Sequence, residues 1–99
     1  FAVRTPYEIG RDAEYRVAKI LAKRGYGWII RSAASHGPID LLASNGAGVI
    51  AVQVKKAGYV SRVDVTSLVE WSNRFNAEPY VARKRRGRWR LDRAPRVTV

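Results

Sequence analysis

The sequence predicts one α/β domain whose elements follow the order αβββαββ, with a central mixed sheet flanked by helices. Two segments have apolar residues at helical spacing, short apolar runs bounded by glycine or proline lie between them, and a hairpin pattern follows. A chain of 99 residues is enough for one domain and one modest core. We expect that core to cover about residues 6–92, with short, frayed ends.

The first helix is predicted over residues 6–24, because its apolar side chains recur every three or four positions and a glycine follows. Thr5 and Glu8 form a capping-box pattern around Pro6, which marks the start. Glu14 falls about 75° from the centre of the apolar stripe, at about 100° per residue. A glutamate at such an edge is usually just solvated.

Three short strands are predicted next. Residues 27–31 are mostly apolar, which predicts a strand in the centre of the sheet. A small polar loop over 32–37 leads to a second strand, Ile39–Ala43, which begins after a Gly-Pro pair. Asn45-Gly46 then predicts a turn into a third strand, Val49–Lys55.

Three polar side chains on the second and third strands form a candidate site. Because side chains alternate along a strand, pairing the two strands brings Asp40, Gln53 and Lys55 onto one patch. An acid, a neutral oxygen and an ammonium are the components of a Mg²⁺ site that cuts phosphodiesters. An acid and a lysine on adjacent strands are also commonly a plain surface ion pair. The pattern alone leaves both interpretations open.

The second helix is predicted from about Asp64 to Phe75, with Ser61 or Asp64 as its cap. Its aliphatic residues share one face, and Trp71 and Phe75 lie on the flank. Large aromatic side chains there indicate either more core or a contact between two copies of the chain.

Basic residues dominate the composition. Nineteen lysines and arginines against eight acidic residues give a formal net charge of +11. A small domain this basic usually binds nucleic acid, and a merely soluble basic surface is the alternative. A hairpin predicted over 79–84 and 88–92 carries arginines interleaved with Tyr80 and Trp89. This combination favours nucleic-acid contact over simple protection of an edge strand.

Other features narrow the class of protein. Cysteine is absent, which excludes disulfides and thiolate metal sites. No apolar run approaches the roughly 18 residues of a membrane span, and we expect no membrane partner. The chain begins at Phe1, so we expect that an N-terminal segment was removed or lies outside the numbering.

Four stretches of the chain carry a family resemblance, namely Gly10–Tyr26, Ile29–Gly46, Ala51–Lys56 and Leu68–Phe75. Together, and in this order, they resemble the archaeal-type Holliday junction resolvases. The resemblance implies a restriction-endonuclease-like fold of the PD-(D/E)xK nuclease superfamily. It also implies a Mg²⁺-dependent endonuclease, with Mn²⁺ as a substitute metal and no small-molecule cofactor. The expected substrate is a four-way DNA junction, in which a homodimer makes paired nicks. We expect the protein to act inside a cell and to be encoded by a cellular or a viral genome.

The resemblance also implies roles for individual residues. Pro38-Ile39-Asp40 and Gln53-Val54-Lys55 match the two parts of the superfamily motif. Lys55 would orient the attacking water, while Arg31 and Ser35 would hold the scissile phosphate. The expected metal ligands are Glu14, Asp40, Gln53 and the backbone carbonyl of Val54. The expected DNA contacts are Arg11, Arg31, Lys56, Arg62, Arg85 and Arg86.

Three points remain open in the sequence. Ser32 is hard to separate from Ser35 as the loop serine, and His36 fits an exposed loop residue better than a general base. The family carries a metal-binding glutamate where this chain has Gln53. That change is compatible with a tolerated variant, an inactivating change or a substitution introduced to trap a complex. A DNA-binding module that lost catalysis is therefore the alternative function. A general RNA-binding domain would account for the charge but would leave the placement of Asp40, Lys55 and Glu14 unexplained.

Overall fold

A computed structural model describes residues 6–32, 37–56 and 59–94, and of residues 6–10 the backbone alone. Within these ranges the chain forms two helices and five strands in the predicted order. The helices are α1 (Pro6–Lys23) and α2 (Arg62–Arg74). The strands are β1 (Trp28–Arg31), β2 (Leu41–Ser44), β3 (Val49–Lys55), β4 (Glu78–Arg85) and β5 (Arg88–Arg93). No helix in the described part is long and apolar enough to cross a membrane.

The five strands form one mixed sheet in the order β1-β2-β3-β4-β5. Neighbouring strands are antiparallel except for β3 and β4, which are parallel. Parallel neighbours need a crossover connection, and α2 supplies it. The predicted α/β fold with a mixed sheet is therefore confirmed.

The two helices cover opposite faces of the sheet, and β3 contributes to both cores. Val52 packs on one face with Val17 and Leu21 of α1. Ala51 packs on the other face with Leu68 of α2. The predicted alternation along β3 is thus confirmed, and Gln53 and Lys55 fall on the α2 side.

The prediction that β1 is central was wrong, because β1 lies at one edge of the sheet. Trp28 and Ile30 are each 68% exposed, while Ile29 packs against the core on the α1 side. The strand therefore buries one face only, which an almost continuous apolar run does not indicate.

The second strand also begins later than predicted, at Leu41 rather than Ile39. Ile39 is buried in the α2-side core. Asp40 lies in a bend between that residue and the strand. The bend frees the Asp40 carboxylate from the strand geometry and lets it reach across to β3.

Candidate active site

Asp40 lies just before β2 and is held against β3 by two hydrogen bonds. Its backbone N–H donates to the carbonyl oxygen of Val52 at 2.9 Å. Its Oδ2 accepts from the backbone N–H of Val54 at 2.8 Å. Burial, and to a smaller extent the charge of Glu14, raises the pKa of Asp40 from 3.8 to about 6. A carboxylate that is costly to ionise here would be stabilised by a cation.

Gln53 follows on β3 and presents a buried oxygen. The register pairs Leu41 with Val52, so one step further places Asp40 opposite Gln53. Gln53 is 7% exposed, and its Oε1 has no hydrogen-bond partner among the residues that the structure describes. A buried acceptor without a partner costs about 1–3 kcal/mol, so such atoms commonly mark ligand sites.

Glu14 and Arg31 approach the site from α1 and β1. The Arg31 Nη1 lies 3.1 Å from Glu14 Oε1, and both side chains are largely buried. The guanidinium of Arg31 also lies over the Tyr15 ring, 5.2 Å from its centroid. Because the charge of Glu14 helps to raise the pKa of Asp40, the two carboxylates lie within electrostatic reach of each other. The edge position of Glu14 therefore faces the site and not bulk solvent.

Lys55 closes the site at the end of β3 and is ion-paired with α2. Its Nζ lies 3.4 Å from Oδ2 of Asp64, in the first turn of the helix. Its positive charge also lowers the pKa of Asp40, which opposes the effect of burial. Ser61 is the cap of α2, since its Oγ accepts from the Asp64 N–H at 3.1 Å. The sequence suggested Asp64 only as a helix cap, so its contact with Lys55 was missed.

The structure thus brings Asp40, Gln53 and Lys55 together toward one end of β3, and Glu14 acts electrostatically on Asp40 from α1. The catalytic and metal-binding roles expected of these residues stay predictions. The N–H and C=O of a strand residue point to the same side, so the Val54 carbonyl is directed toward the Asp40 side. Within the described residues, no group of three His, Cys, Asp or Glu side chains could hold a metal ion. The predicted donor set contains two carboxylates, and it gains a third side-chain oxygen only through the Gln53 amide.

The donor set still fits a hard divalent cation. Mg²⁺ prefers carboxylate and amide or carbonyl oxygens, and the unpartnered Oε1 of Gln53 is an oxygen of this kind beside the buried Asp40. Ser35 and His36 lie outside the described residues, so their predicted roles stay predictions.

Comparison with known proteins assigns the chain to a family. The profile of the archaeal Holliday junction resolvases (Hjc) matches residues 5–97. The chain belongs to this family. The crossover junction endodeoxyribonuclease Hjc of Methanocaldococcus jannaschii is 32% identical over 89 residues, covering 86% of this chain and 65% of that protein. The solved structure of Hjc from Archaeoglobus fulgidus, a Holliday junction resolvase from an archaeal hyperthermophile, is 35% identical. It superposes with a TM-score of 0.68, over 81% of this chain and 72% of the other.

The predicted fold and the predicted resemblance to this family are thereby confirmed. The chain spans 65% of the length of the curated relative that it matches. That Gln53 stands where the family carries a metal-binding glutamate stays a prediction from the sequence resemblance. Compared with a glutamate, the Gln53 amide offers a side-chain oxygen but no negative charge.

The other residues predicted to contact DNA lie on several elements of the described part of the chain. Lys56 follows β3 and Arg62 begins α2, and both are exposed. Arg85 and Arg86 are exposed at the turn between β4 and β5. Arg11 is partly buried on α1 and has interactions within the protein.

Trp71 has a contact that the sequence did not indicate. It is 45% exposed on α2, and Phe75, one turn later, is 53% exposed. The Trp71 ring lies over Gly37, where a Cβ would come within 2.8 Å of the indole. Trp71 therefore supports the segment that leads to Asp40, besides presenting an apolar surface to solvent.

Proposed function

We propose that this chain is a Mg²⁺-dependent endonuclease that nicks four-way DNA junctions, acting as a homodimer. The observation that carries the proposal is the meeting of Asp40, the unpartnered Gln53 oxygen and Lys55 at the end of β3. Family membership and the formal charge of +11 support a nucleic-acid substrate. A DNA substrate implies action inside the cell that carries the DNA.

Glu14, Asp40, Gln53 and the Val54 carbonyl would hold the metal. A Mg²⁺ ion held there would supply Lewis-acid chemistry, which polarises a phosphoryl oxygen, acidifies water and offsets charge on a leaving oxygen. Asp40 must first lose its proton, because a protonated carboxyl is a poor ligand.

The protein's own cations would act on the phosphate and the water. Lys55 orients the water that attacks phosphorus, as the P–O3′ bond breaks and leaves a 3′ hydroxyl. Arg31, with Ser35 from the loop, holds the non-bridging oxygens, where its guanidinium offsets the negative charge that builds up. The ion pair with Glu14 orients Arg31 before DNA binds.

The alternative function is a DNA-binding module on the same fold that no longer cuts. It is favoured by the replacement of a carboxylate by Gln53, which leaves the described site without three acidic ligands. Both functions use the same binding surface and differ only in metal-dependent hydrolysis.

A cutting assay on a four-way junction, with Mg²⁺ and with EDTA, tests the proposal. We expect paired nicks with Mg²⁺, none with EDTA, and tighter binding to the junction than to a duplex of equal length. Binding without cutting at any Mg²⁺ or Mn²⁺ concentration would support the alternative. Equal affinity for junction and duplex would leave a DNA-binding protein that does not select branched DNA.

A further inference from the structure

One face of the β4–β5 hairpin carries arginines directly opposite one another. The register pairs Arg83 with Arg90 and Arg85 with Arg88. Paired residues in an antiparallel ladder project from the same face, where like charges repel and destabilise the sheet. Asp92 offsets part of this charge through a 3.3 Å ion pair with Arg83. The remaining positive charge lowers the hairpin's own stability.

The turn of this hairpin retains a further arginine in an unfavourable conformation. Arg86 and Gly87 connect the strands with φ values of 50° and 75°. Two consecutive positive φ angles are typical of a type I′ turn, which favours Asn, Asp or Gly. An arginine in the left-handed region is strained. Folding alone therefore gives no reason for arginine at this position.

The arginines continue a line of positive charge that begins at the candidate active site. In the parallel register of β3 and β4, Lys55 lies beside Arg83. Arg83 in turn lies beside Arg90, so three cations cross three neighbouring strands on one face. With strands about 4.8 Å apart, this row is about 10 Å long. β4 then continues to Arg85, beyond the end of β3.

The end of the hairpin forms an open concave surface of about 550 Å³. Guanidinium groups bind phosphate oxygens in pairs. Trp89 alternates with Arg88 and Arg90 along β5 and packs toward the α1-side core, so its indole lies on the opposite face from these arginines. The concave surface is lined by Arg85, Arg86, Arg88, Trp89 and Arg90.

We propose that this surface binds the sugar-phosphate backbone flanking the scissile phosphate, so that the bound strand runs from Lys55 across β4 and β5. We name it the hairpin track, defined by Arg83, Arg85, Arg86, Arg88 and Arg90. The inference rests on the proposed DNA-cutting function and adds the direction of the DNA. A phosphodiester is favoured over an acidic protein because the row of cations begins at the candidate catalytic lysine.

The test compares two double variants that remove the same charge. Arg88→Gln/Arg90→Gln neutralises the hairpin track. Lys23→Gln/Arg24→Gln neutralises exposed residues at the end of α1, about 14 Å along the helix from Glu14. Junction binding is measured against KCl concentration, and the melting temperature is measured without DNA.

We expect the hairpin variant to bind more weakly and its log–log salt slope to become shallower by about 2. Its melting temperature should rise, because two like-charge pairs are relieved. Arg86→Asn should likewise bind DNA more weakly and melt at a higher temperature, since Asn tolerates the turn conformation. A residue with a purely structural role would not gain stability while losing DNA affinity. The α1 variant should keep the wild-type slope.

Three results would overturn the hairpin track. They are equal slope changes in both double variants, an unchanged slope in the hairpin variant, and competition by polyglutamate as effective as DNA of equal charge. Each leaves the proposed function intact when wild type binds and cuts junctions. A wild-type protein that does not bind DNA would instead refute the proposed function.

Discussion

Lys55 at the end of β3 is ion-paired with Asp64 in the first turn of α2, with Nζ and Oδ2 3.4 Å apart. The hydroxyl of Ser61 and then the charge of Lys55 hold the pKa of Asp64 below its usual range, so the carboxylate is ionised at neutral pH. The cap of α2 therefore fixes the anion that holds the candidate catalytic lysine.

Replacing Asp64 with Asn should lower the rate of junction cutting on the order of tenfold, because a displaced lysine no longer orients the water. The loss should appear in kcat, with KM and junction affinity little changed. Single-turnover cutting over a range of junction concentrations measures both parameters. Asp64→Glu should restore part of the rate.

Ser61→Ala is the matched control for helix stability. It removes the acceptor for the Asp64 N–H, and so costs about 1 kcal/mol of stability. It keeps the carboxylate beside Lys55. If Ser61→Ala and Asp64→Asn slow cutting equally, the effect comes from the start of α2 and the positioning role is wrong.

The Lys55–Asp64 contact illustrates where sequence reasoning ends. The motif positions of Asp40 and Lys55 are local to two strands, so their spacing and alternation predicted that they meet. Asp64 reaches Lys55 only because α2 packs on the sheet at one particular position along the strands. That position depends on how Leu68 of α2 packs against Ala51 of β3, which no rule of sequence spacing specifies.

Asp40 should give the metal-free protein a distinctive pH dependence. Its pKa is about 6 in the fold and 3.8 as a free side chain. Between these values the folded protein holds a proton that the unfolded chain releases. The stabilisation from this group is therefore full below pH 3.8 and is lost as pH rises through 6, by about 3 kcal/mol in all.

Urea unfolding of wild type and Asp40→Asn in EDTA, at pH 4 and pH 7.5, measures this effect. The variant cannot ionise, so its stability relative to wild type should increase by about 2 kcal/mol between the two pH values. It should bind junctions but not cut them. Parallel curves of stability against pH for the two proteins would mean that folding does not raise the pKa of Asp40.

Gln53→Glu should change the response to metal in two opposite ways. A third carboxylate lowers the metal concentration needed for half-maximal cutting, because it restores one negative charge. Without metal the same charge is buried near Asp40 and Glu14, so the melting temperature should fall. Metal titrations of cutting and of thermal unfolding give both quantities.

Gln53→Ala is the control, since it removes the oxygen and should not cut at any Mg²⁺ or Mn²⁺ concentration. A wild-type protein that never cuts, together with a Gln53→Glu variant that does, would identify this chain as a disabled resolvase. If neither cuts, the assignment of the site is wrong.

The sequence predicted the order of the secondary-structure elements better than the exposure and contacts of individual side chains. Helical spacing and the Gly-Pro and Asn-Gly turns predicted the order of the elements, because these signals are local. The position of β1 was not predictable, since Trp28 and Ile30 are apolar yet 68% exposed. The contact of Trp71 with Gly37 joins residues from different parts of the chain. Because glycine has no side chain, the hydrophobic pattern of the sequence could not predict this contact.

The exposed aromatic side chains of α2 give the last prediction, which concerns the proposed homodimer. Phe75→Arg should convert a dimer into a monomer, because a charged side chain replaces an apolar one that is 53% exposed. Phe75 is a cleaner site than Trp71, whose ring also supports Gly37. Light scattering at micromolar protein concentrations measures the change.

Asn73→Arg is the control, since this exposed residue lies about 200° around the helix from Phe75 and adds the same charge. It should remain dimeric and make paired nicks. A four-way junction has two-fold symmetry, so monomeric Phe75→Arg should release singly nicked junctions before the second cut. The added arginine cannot weaken DNA binding by charge, so lost pairing would reflect lost assembly. A wild-type monomer, or paired nicking by the monomeric variant, would exclude this face of α2 as the dimer interface.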